Sequence, residues 1–293
     1  MSQNDAQWYE ESYPEVEARL GIKVKKWLYS DKSKYQKIDV FESTKFGKVL
    51  LLDDLVMLTE KDEFIYHEMI AHVPINVHPN PQKVLVIGAG DGGTLRELLR
   101  HPEIKQLDIV EIDKKVADVS HEFFPEIACG YNDERVNKHW QDGVTFINEC
   151  ETIYDIIVID STDPVNHGEG LFTTEFYQKC YDKLTNNGIL VNQAESPQWT
   201  PDYVKGIYSK LNKIFPVFKM YQAFIPTYPS GHWLFGFASK NLDPIQDQKA
   251  NRWREKKIET KYYNPDIHAA SFALPNFVHN LFAEVDKAEE DES

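Results

Sequence analysis

Asp160 and Asp163 close the stretch YDIIVIDSTDP, residues 154–164. Ile156, Ile157, Val158 and Ile159 precede them, so the first carboxylate ends an apolar, strand-like run. Locally, Asp, Ser, Thr and Pro make a polar turn. Chemically, two carboxylates three residues apart can divide two tasks: one takes a proton from a nucleophile, the other holds a cation. A second set lies in KVLVIGAGDGGTLREL, residues 83–98. Gly88, Gly90 and Gly93 complete G-x-G-x-x-G between a strand-like and a helix-like stretch. That pattern permits a tight turn and close approach of a ligand to the backbone. Glu111 ends the next strand-like run, LDIVEID, 23 residues after Gly88. An acid at about that offset can grip a ribose hydroxyl pair.

Two ligand classes suit this loop, a dinucleotide and an S-adenosyl compound. Asp91 lies inside it. A carboxylate there repels a pyrophosphate, and it equally repels the carboxylate of S-adenosylmethionine. It attracts an ammonium group. The loop therefore suits an adenosyl ligand carrying a bare amine, the local alternative being a turn hydrogen bond to Asp91. In QDG, Asp142 and Gly143 close another strand-like run. Asp142 there is either an acceptor for an adenine amino group or a turn residue.

These groups need a frame. From Lys83 onward, apolar runs alternate with helical stretches: KVLVIG, TLRELLRHPE, LDIVEID, KKVADVSHEFF, YDIIVID, TTEFYQKCYDKL and GILVNQA. SGHWLFGFASK reads as a further strand. Such alternation implies an α/β fold with a parallel sheet covered on both faces. Ligands bind such sheets at the C-terminal ends of the strands. Residues 1–58 hold GIKVKKWLYS, QKIDVFES and GKVLLLDDLVMLT, which read as a small antiparallel β unit. Thr59 and Asp62 form a candidate capping box for a helix in which Tyr66, Met69, Ile70 and Val73 share one face. Pro74 is expected to end that helix, and HPNPQK (78–83) reads as a linker. The expected division is an N-terminal β domain over 1–75 and a catalytic domain over 76–293.

The chain carries a net charge of −15. A negative field argues against nucleic acid, whose recognition rests on Lys and Arg, and it suits cationic ligands. No apolar run approaches the ~20 residues of a membrane span. The polar, acidic N-terminus does not read as a secretory signal. Cys129, Cys150 and Cys180 are odd in number and widely spaced, which suits a reducing cytoplasm. EVDKAEEDES (284–293) reads as a solvated, frayed tail. His67 and His72 flank Glu68 as HExxxH. That spacing turns about 140° around a helix, so the imidazoles diverge and no metal is expected. His101, His121 and His139 read as surface residues, Trp199 and Trp233 as core or interface.

The stretches YQKI (35–38), TEKDEFIYHEMIAHVP (59–74), VLVIGAGDGGTLRE (84–97), VEID (110–113), IDSTDP (159–164), LFTTEFY (171–177), IPTYPSG (225–231) and YYNPDIHAASFALP (262–275) run in register along nearly the whole chain. Together they resemble the spermidine synthases, the polyamine aminopropyltransferase family. The resemblance implies a Rossmann-like methyltransferase fold with a parallel-rich sheet, preceded by a small antiparallel β domain. It implies that decarboxylated S-adenosylmethionine is a co-substrate whose aminopropyl group passes to putrescine, giving spermidine and 5′-methylthioadenosine. No prosthetic group and no metal are implied. By position, Gln36 contacts the donor, Glu111 its ribose, and Asp142 with Gly143 its adenine. Asp91 holds the aminopropyl ammonium. Asp160 is the general base, with Tyr66 beside it on the acceptor amine. His67 and Asp163 contact the polyamine, and Gln193 and Tyr228 line the acceptor channel.

The sequence also departs from the family. DPVNHGEGLF has Asn166 and His167 where Gly-Pro is usual, so His167 stands where a Pro lines the methylthioadenosine side. Asp54 and Met57 stand where Gly and Gln are common. Agmatine, cadaverine and spermidine are alternative acceptors, and methyl transfer from intact S-adenosylmethionine is an alternative reaction. The resemblance further implies a homodimer or homotetramer, with the N-terminal β unit and WYEESYPEVEARL in the contact.

Overall fold

Two apolar runs, VLVI and IIVI, set the centre of the molecule. In a computed structural model, which describes residues 7–161 and 166–292, both are strands buried on both faces. The N-terminal part is one antiparallel sheet: β1 (Trp8–Tyr13), β2 (Ala18–Lys32), β3 (Lys37–Ser43), β4 (Lys48–Leu52) and β5 (Leu55–Thr59), in that order. Helix α1 (Glu63–Val77) follows. Then come β6 (Lys83–Gly88), α2 (Gly93–Leu99), β7 (Gln106–Val110), α3 (Lys114–Phe123), β8 (Val136–His139), α4 (Gly143–Glu149), β9 (Tyr154–Asp160), α5 (Thr174–Asp182) and β10 (Leu184–Gln193). The chain continues with α6 (Pro201–Ile214), β11 (Val217–Phe224), β12 (His232–Ser239), α7 (Ala250–Lys256), α8 (Pro265–Ser271) and α9 (Asn276–Glu292).

The larger sheet has the order β11-β12-β10-β9-β6-β7-β8. Strands β6 to β10 pair in parallel, and β11 and β12 add an antiparallel edge. The chain therefore leaves β6 toward β7 on one side and returns at β9 on the other. That reversal opens a crevice at the C-terminal ends of β6 and β9. The register places Gly88 opposite Asp160 there. The five-stranded sheet packs onto α3: Ile38, Val40, Leu50 and Leu52 meet Val116, Val119 and Phe124 in one apolar cluster.

Helix α1 packs mainly against the larger sheet and α2. It is buried on nearly every side, so the four-residue face is only part of its burial. It runs through Pro74 to Val77. The candidate capping box is not formed. Thr59 Oγ1 donates to Asp62 Oδ1 (2.6 Å), and Asp62 Oδ2 accepts from Thr227 N (3.1 Å) and Thr227 Oγ1 (2.8 Å). A carboxylate with that long-range partner is not available to cap. Glu68, next on α1 to His67, accepts from the backbone N–H of Lys261, Tyr262 and Tyr263 at 2.7–2.8 Å.

Two other surface expectations are corrected. His101 is fully buried, between His72 (3.0 Å) and Lys256 (3.1 Å). The acidic tail is helical in α9, where Lys205 pairs with Glu284 and Lys213 with Glu289 on α6. Phe282 stacks flat on Tyr208 at 4.3 Å between centroids. Acidic side chains stay wet on one face while Val278 and Phe282 are buried on the other.

Candidate active site

One cavity occupies the crevice. It is lined by Gly88, Gly90 and Asp91 from the β6–α2 loop, by Glu111, Asp142 and Gly143 beyond β7 and β8, and by Asp160 at the end of β9. Tyr66 and His67 enter from α1, Gln193 from β10, Tyr228 from the loop before β12, and Gln36 from the five-stranded sheet unit. Asp163 lies outside the described residues, as does the side chain of His167, whose backbone belongs to the 3-10 turn Asn166–Phe172.

The glycines have physical reasons. Gly88 has φ +90°, and a Cβ on it would sit 2.0 Å from the Asp160 carbonyl oxygen. Strand β9 thus crosses directly against the loop, and Ala89 N donates to that same oxygen (2.7 Å). A Cβ on Gly90 would meet Val116 (2.9 Å) and Glu111 Oε2 (3.0 Å). Gly93 leaves room for the His67 ring, which would lie 2.3 Å from its Cβ.

Asp160 is fixed by two donors. Tyr66 Oη donates to Oδ1 (2.6 Å) and Thr94 Oγ1 donates to Oδ2 (2.5 Å). Burial, then the nearby charge of Asp91, pushes the Asp160 carboxyl up; His67, Thr94 and Tyr66 oppose this. Burial, then Asp160, pushes the Tyr66 phenol well up, so Tyr66 is a neutral donor at physiological pH. The Asp91 carboxyl behaves oppositely. Burial would raise it, but the charge and hydrogen bond of His67 outweigh burial and hold it low. Two carboxylates in one crevice are thereby driven apart in acidity.

The end of the cavity beside β7 differs. Glu111 Oε1 accepts from Asp113 N (2.7 Å). Its carboxyl is pushed up to about 7, mainly by burial, with Asp113, Asp91 and Asp160 adding to it. Asp142 is the N-cap of α4, where Oδ1 accepts from Thr145 N (2.7 Å) and Thr145 Oγ1 (2.9 Å). Gln36 Nε2 donates to Asp113 Oδ2 (3.1 Å), linking the N-terminal unit to the strand end beside Glu111. At the other end, Tyr228 Oη donates to Met57 O (2.7 Å), with its ring 5.7 Å from Tyr66 and 4.9 Å from Trp233. Gln193 Oε1 accepts from Glu195 N (3.1 Å).

The two histidines of HExxxH part company. His67 faces Glu63 and Asp91, while His72 Nε2 meets Glu97 (3.0 Å) behind the site. Sequence reasoning missed Thr94, Glu11 and Trp233 as site residues. Glu11 lines the cavity from β1, and its Oε2 accepts from Val56 N (3.1 Å). Thr94 had a signal: it follows the last glycine of the loop, in the helix turn that faces Asp160. Met57, also in the lining, stands out in the sequence only as a departure from the family, and Trp233 has only apolar character, which the core shares.

Comparison with known proteins follows the same lines. Residues 63–249 match the family described as spermine/spermidine synthase domain, and residues 7–60 match the spermidine synthase tetramerisation domain. The chain is 52% identical over 276 residues to a polyamine aminopropyltransferase of Clostridium beijerinckii, covering 94% of this chain and 97% of that protein. It is 53% identical over 281 residues to one of Clostridioides difficile, covering 94% and 99%. Among solved structures, a spermidine synthase in complex with the transition state analogue AdoDATO superposes with a TM-score of 0.93 at 43% identity, covering 96% of each chain. The spermidine synthase of Thermotoga maritima superposes with a TM-score of 0.92 at 42% identity, covering 96% of each chain. Among the described residues, no helix is long and apolar enough to cross a membrane.

Proposed function

The chain belongs to the spermine/spermidine synthase family, and from that premise we propose that it moves the aminopropyl group of decarboxylated S-adenosylmethionine to putrescine. The products are spermidine and 5′-methylthioadenosine. The observation that carries this reading is Asp91 beside Asp160 in one buried crevice, the first held ionised and the second raised.

The donor is a sulfonium, so its leaving group needs little help. The acceptor is the difficulty. An alkylamine has a pKa near ~10 if it behaves like Lys, and its ammonium form has no lone pair. In this reading Asp160 takes the proton as nitrogen attacks the carbon beside sulfur; that N–C bond forms while the C–S bond breaks and its electron pair stays on sulfur. Tyr66 and Thr94 each donate to one Asp160 oxygen and so set the carboxylate plane. Base assistance of this kind contributes ~10²–10⁴ in rate. Asp91 receives the aminopropyl ammonium, Glu111 the ribose, and Gln36, Asp142 and Gly143 the remaining adenosyl contacts. His67, Gln193 and Tyr228 bound the acceptor channel, and Asp163 anchors the far ammonium of putrescine.

The protein works in this reading as a homodimer or homotetramer through its N-terminal sheet, where Trp8 and Trp27 stand exposed on β1 and β2. The test supplies decarboxylated donor with putrescine, cadaverine, agmatine or spermidine and follows methylthioadenosine release. Putrescine is expected to be the best acceptor, and Asp160→Asn to lose turnover while retaining donor binding. Failure with every amine, or near wild-type kcat in Asp160→Asn, contradicts the reading.

A further inference from the structure

His67 is one link in a closed ring of charged groups. Arg96 of α2 donates through both Nη atoms to Glu63 of α1, at 3.0 and 2.8 Å. Glu63 Oε2 takes the Nδ1–H of His67 (2.6 Å), four residues along the same helix. His67 Nε2 pairs with Asp91 Oδ1 (3.2 Å), and Gly93 N, at the start of α2, donates to that same oxygen (2.7 Å). The ring thus runs from α2 to α1, to the loop, and back to α2. Glu63 and His67 are both buried.

Asp91 Oδ1 accepts from Gly93 N and pairs with the His67 imidazole, and no hydrogen bond from the described residues reaches Oδ2. Asp91 lines the cavity, so Oδ2 is the oxygen left for a ligand. Burial alone would strip His67 of its proton. Asp91 and Glu63 outweigh burial and hold the imidazole up at about 10, so it is a cation at neutral pH. Without that cation, Asp91 and Asp160 would compete for one proton, as close carboxylates do.

We infer that Glu63 and Arg96 are positioning residues for the donor: acting through His67, they pin one oxygen of Asp91 and present the other to the aminopropyl ammonium. The bidentate fork of Arg96 fixes the Glu63 carboxylate. The carboxylate fixes the ring, as a second partner does for a histidine whose other nitrogen has work to do. Neither residue touches the donor. This inference rests on the proposed function, which supplies the ammonium.

The test compares two ligands binding to the folded protein by calorimetry, decarboxylated S-adenosylmethionine and methylthioadenosine. The second shares the adenosyl part and lacks the ammonium. Glu63→Gln is expected to weaken the first by about tenfold or more, the scale of one charge-assisted hydrogen bond. Methylthioadenosine should stay within about twofold of wild type. In steady state the donor KM rises, the acceptor KM holds, and the acid limb of donor kcat/KM moves to higher pH as Asp91 becomes easier to protonate. Arg96→Lys keeps the cation but loses the fork, and carries the same expectation in smaller degree should Glu63→Gln fail to fold. Equal losses for both ligands, or no loss for either, overturn the inference. A wild-type protein that binds the decarboxylated donor no better than methylthioadenosine contradicts the functional reading instead.

Discussion

Gly93→Ala sets two effects of opposite sign against each other. Gly93 is the first residue of α2, where replacing glycine with alanine gains at most the ~0.5–1 kcal/mol of a helix interior. Against this, the new Cβ would lie 2.3 Å from Cε1 and Nδ1 of His67 and 2.6 Å from Cγ. Non-bonded carbons sit comfortably at about 3.5 Å or more, so ring and backbone must separate by roughly 1 Å. The ring has no slack, because it is bonded on both sides. A shift of about 1 Å distorts or breaks the 2.6 Å bond from Nδ1 to Glu63, since Nδ1 is one of the two ring atoms nearest the new Cβ. Overpacking costs about 1–3 kcal/mol, and a lost bond between charged groups about 1.5–3 kcal/mol. The clash wins, and a net loss of about 1.5–5.5 kcal/mol is expected. For a chain of 293 residues that lowers Tm by roughly 2–9 °C. Thermal unfolding gives the first readout and donor affinity against methylthioadenosine the second, with donor affinity falling selectively. An unchanged or raised Tm with donor affinity intact would refute the reasoning, since His67 would then not be locked against Gly93.

Two further predictions concern protons. Tyr66→Phe removes the donor on Asp160 Oδ1, so the Asp160 carboxyl rises further and the acid limb of kcat moves to higher pH; turnover at pH 7 should fall by roughly ten- to a hundredfold, and an acid limb that stays in place contradicts the pairing. Glu111 has a folded-state pKa of about 7 against 4.5 as its ordinary value, so it favours folding below pH 4.5 and loses that contribution as pH rises through about 7. If its ionised form accepts the ribose hydroxyls, donor affinity in the free enzyme rises with pH through about 7 and Glu111→Gln flattens the rise; a wild-type affinity independent of pH between 5.5 and 8 rejects the assignment.

Strand β9 was legible to the residue: YDIIVID is Tyr154–Asp160. A parallel strand buried on both faces must be apolar throughout, and nothing but a strand end explains the abrupt charge. The glycine loop was legible for a related reason, because each glycine answers a steric demand made by a neighbour. What escaped were demands made from far along the chain. Asp62 looks like a helix cap until Thr227, 165 residues away, is placed against it. His101 looks exposed until the helix carrying Lys256 covers it. Helix α1 has no single apolar face because it is enclosed on all sides, so periodicity describes it poorly. Within the site, Asp91, Glu111 and Asp160 could be singled out from type and spacing, and Gln36 only from the family resemblance. Glu63 and Arg96 could not, since a Glu and an Arg on two helices signal nothing until the helices are packed.

The bonds from Lys261, Tyr262 and Tyr263 to Glu68 have a consequence in time. Tyr66 and His67 stand on the same turn of α1, yet the carboxylate beside them waits for partners 193 to 195 residues later. A ribosome adding about 5–20 residues per second needs roughly 10–40 s to supply them. Throughout that interval helix α1 carries a carboxylate whose backbone clasp is still unsynthesised. The nascent chain can therefore lay down strands β6–β9 early while Glu68 still waits for its partners, and a ribosome stalled before residue 261 would display those strands without that clasp.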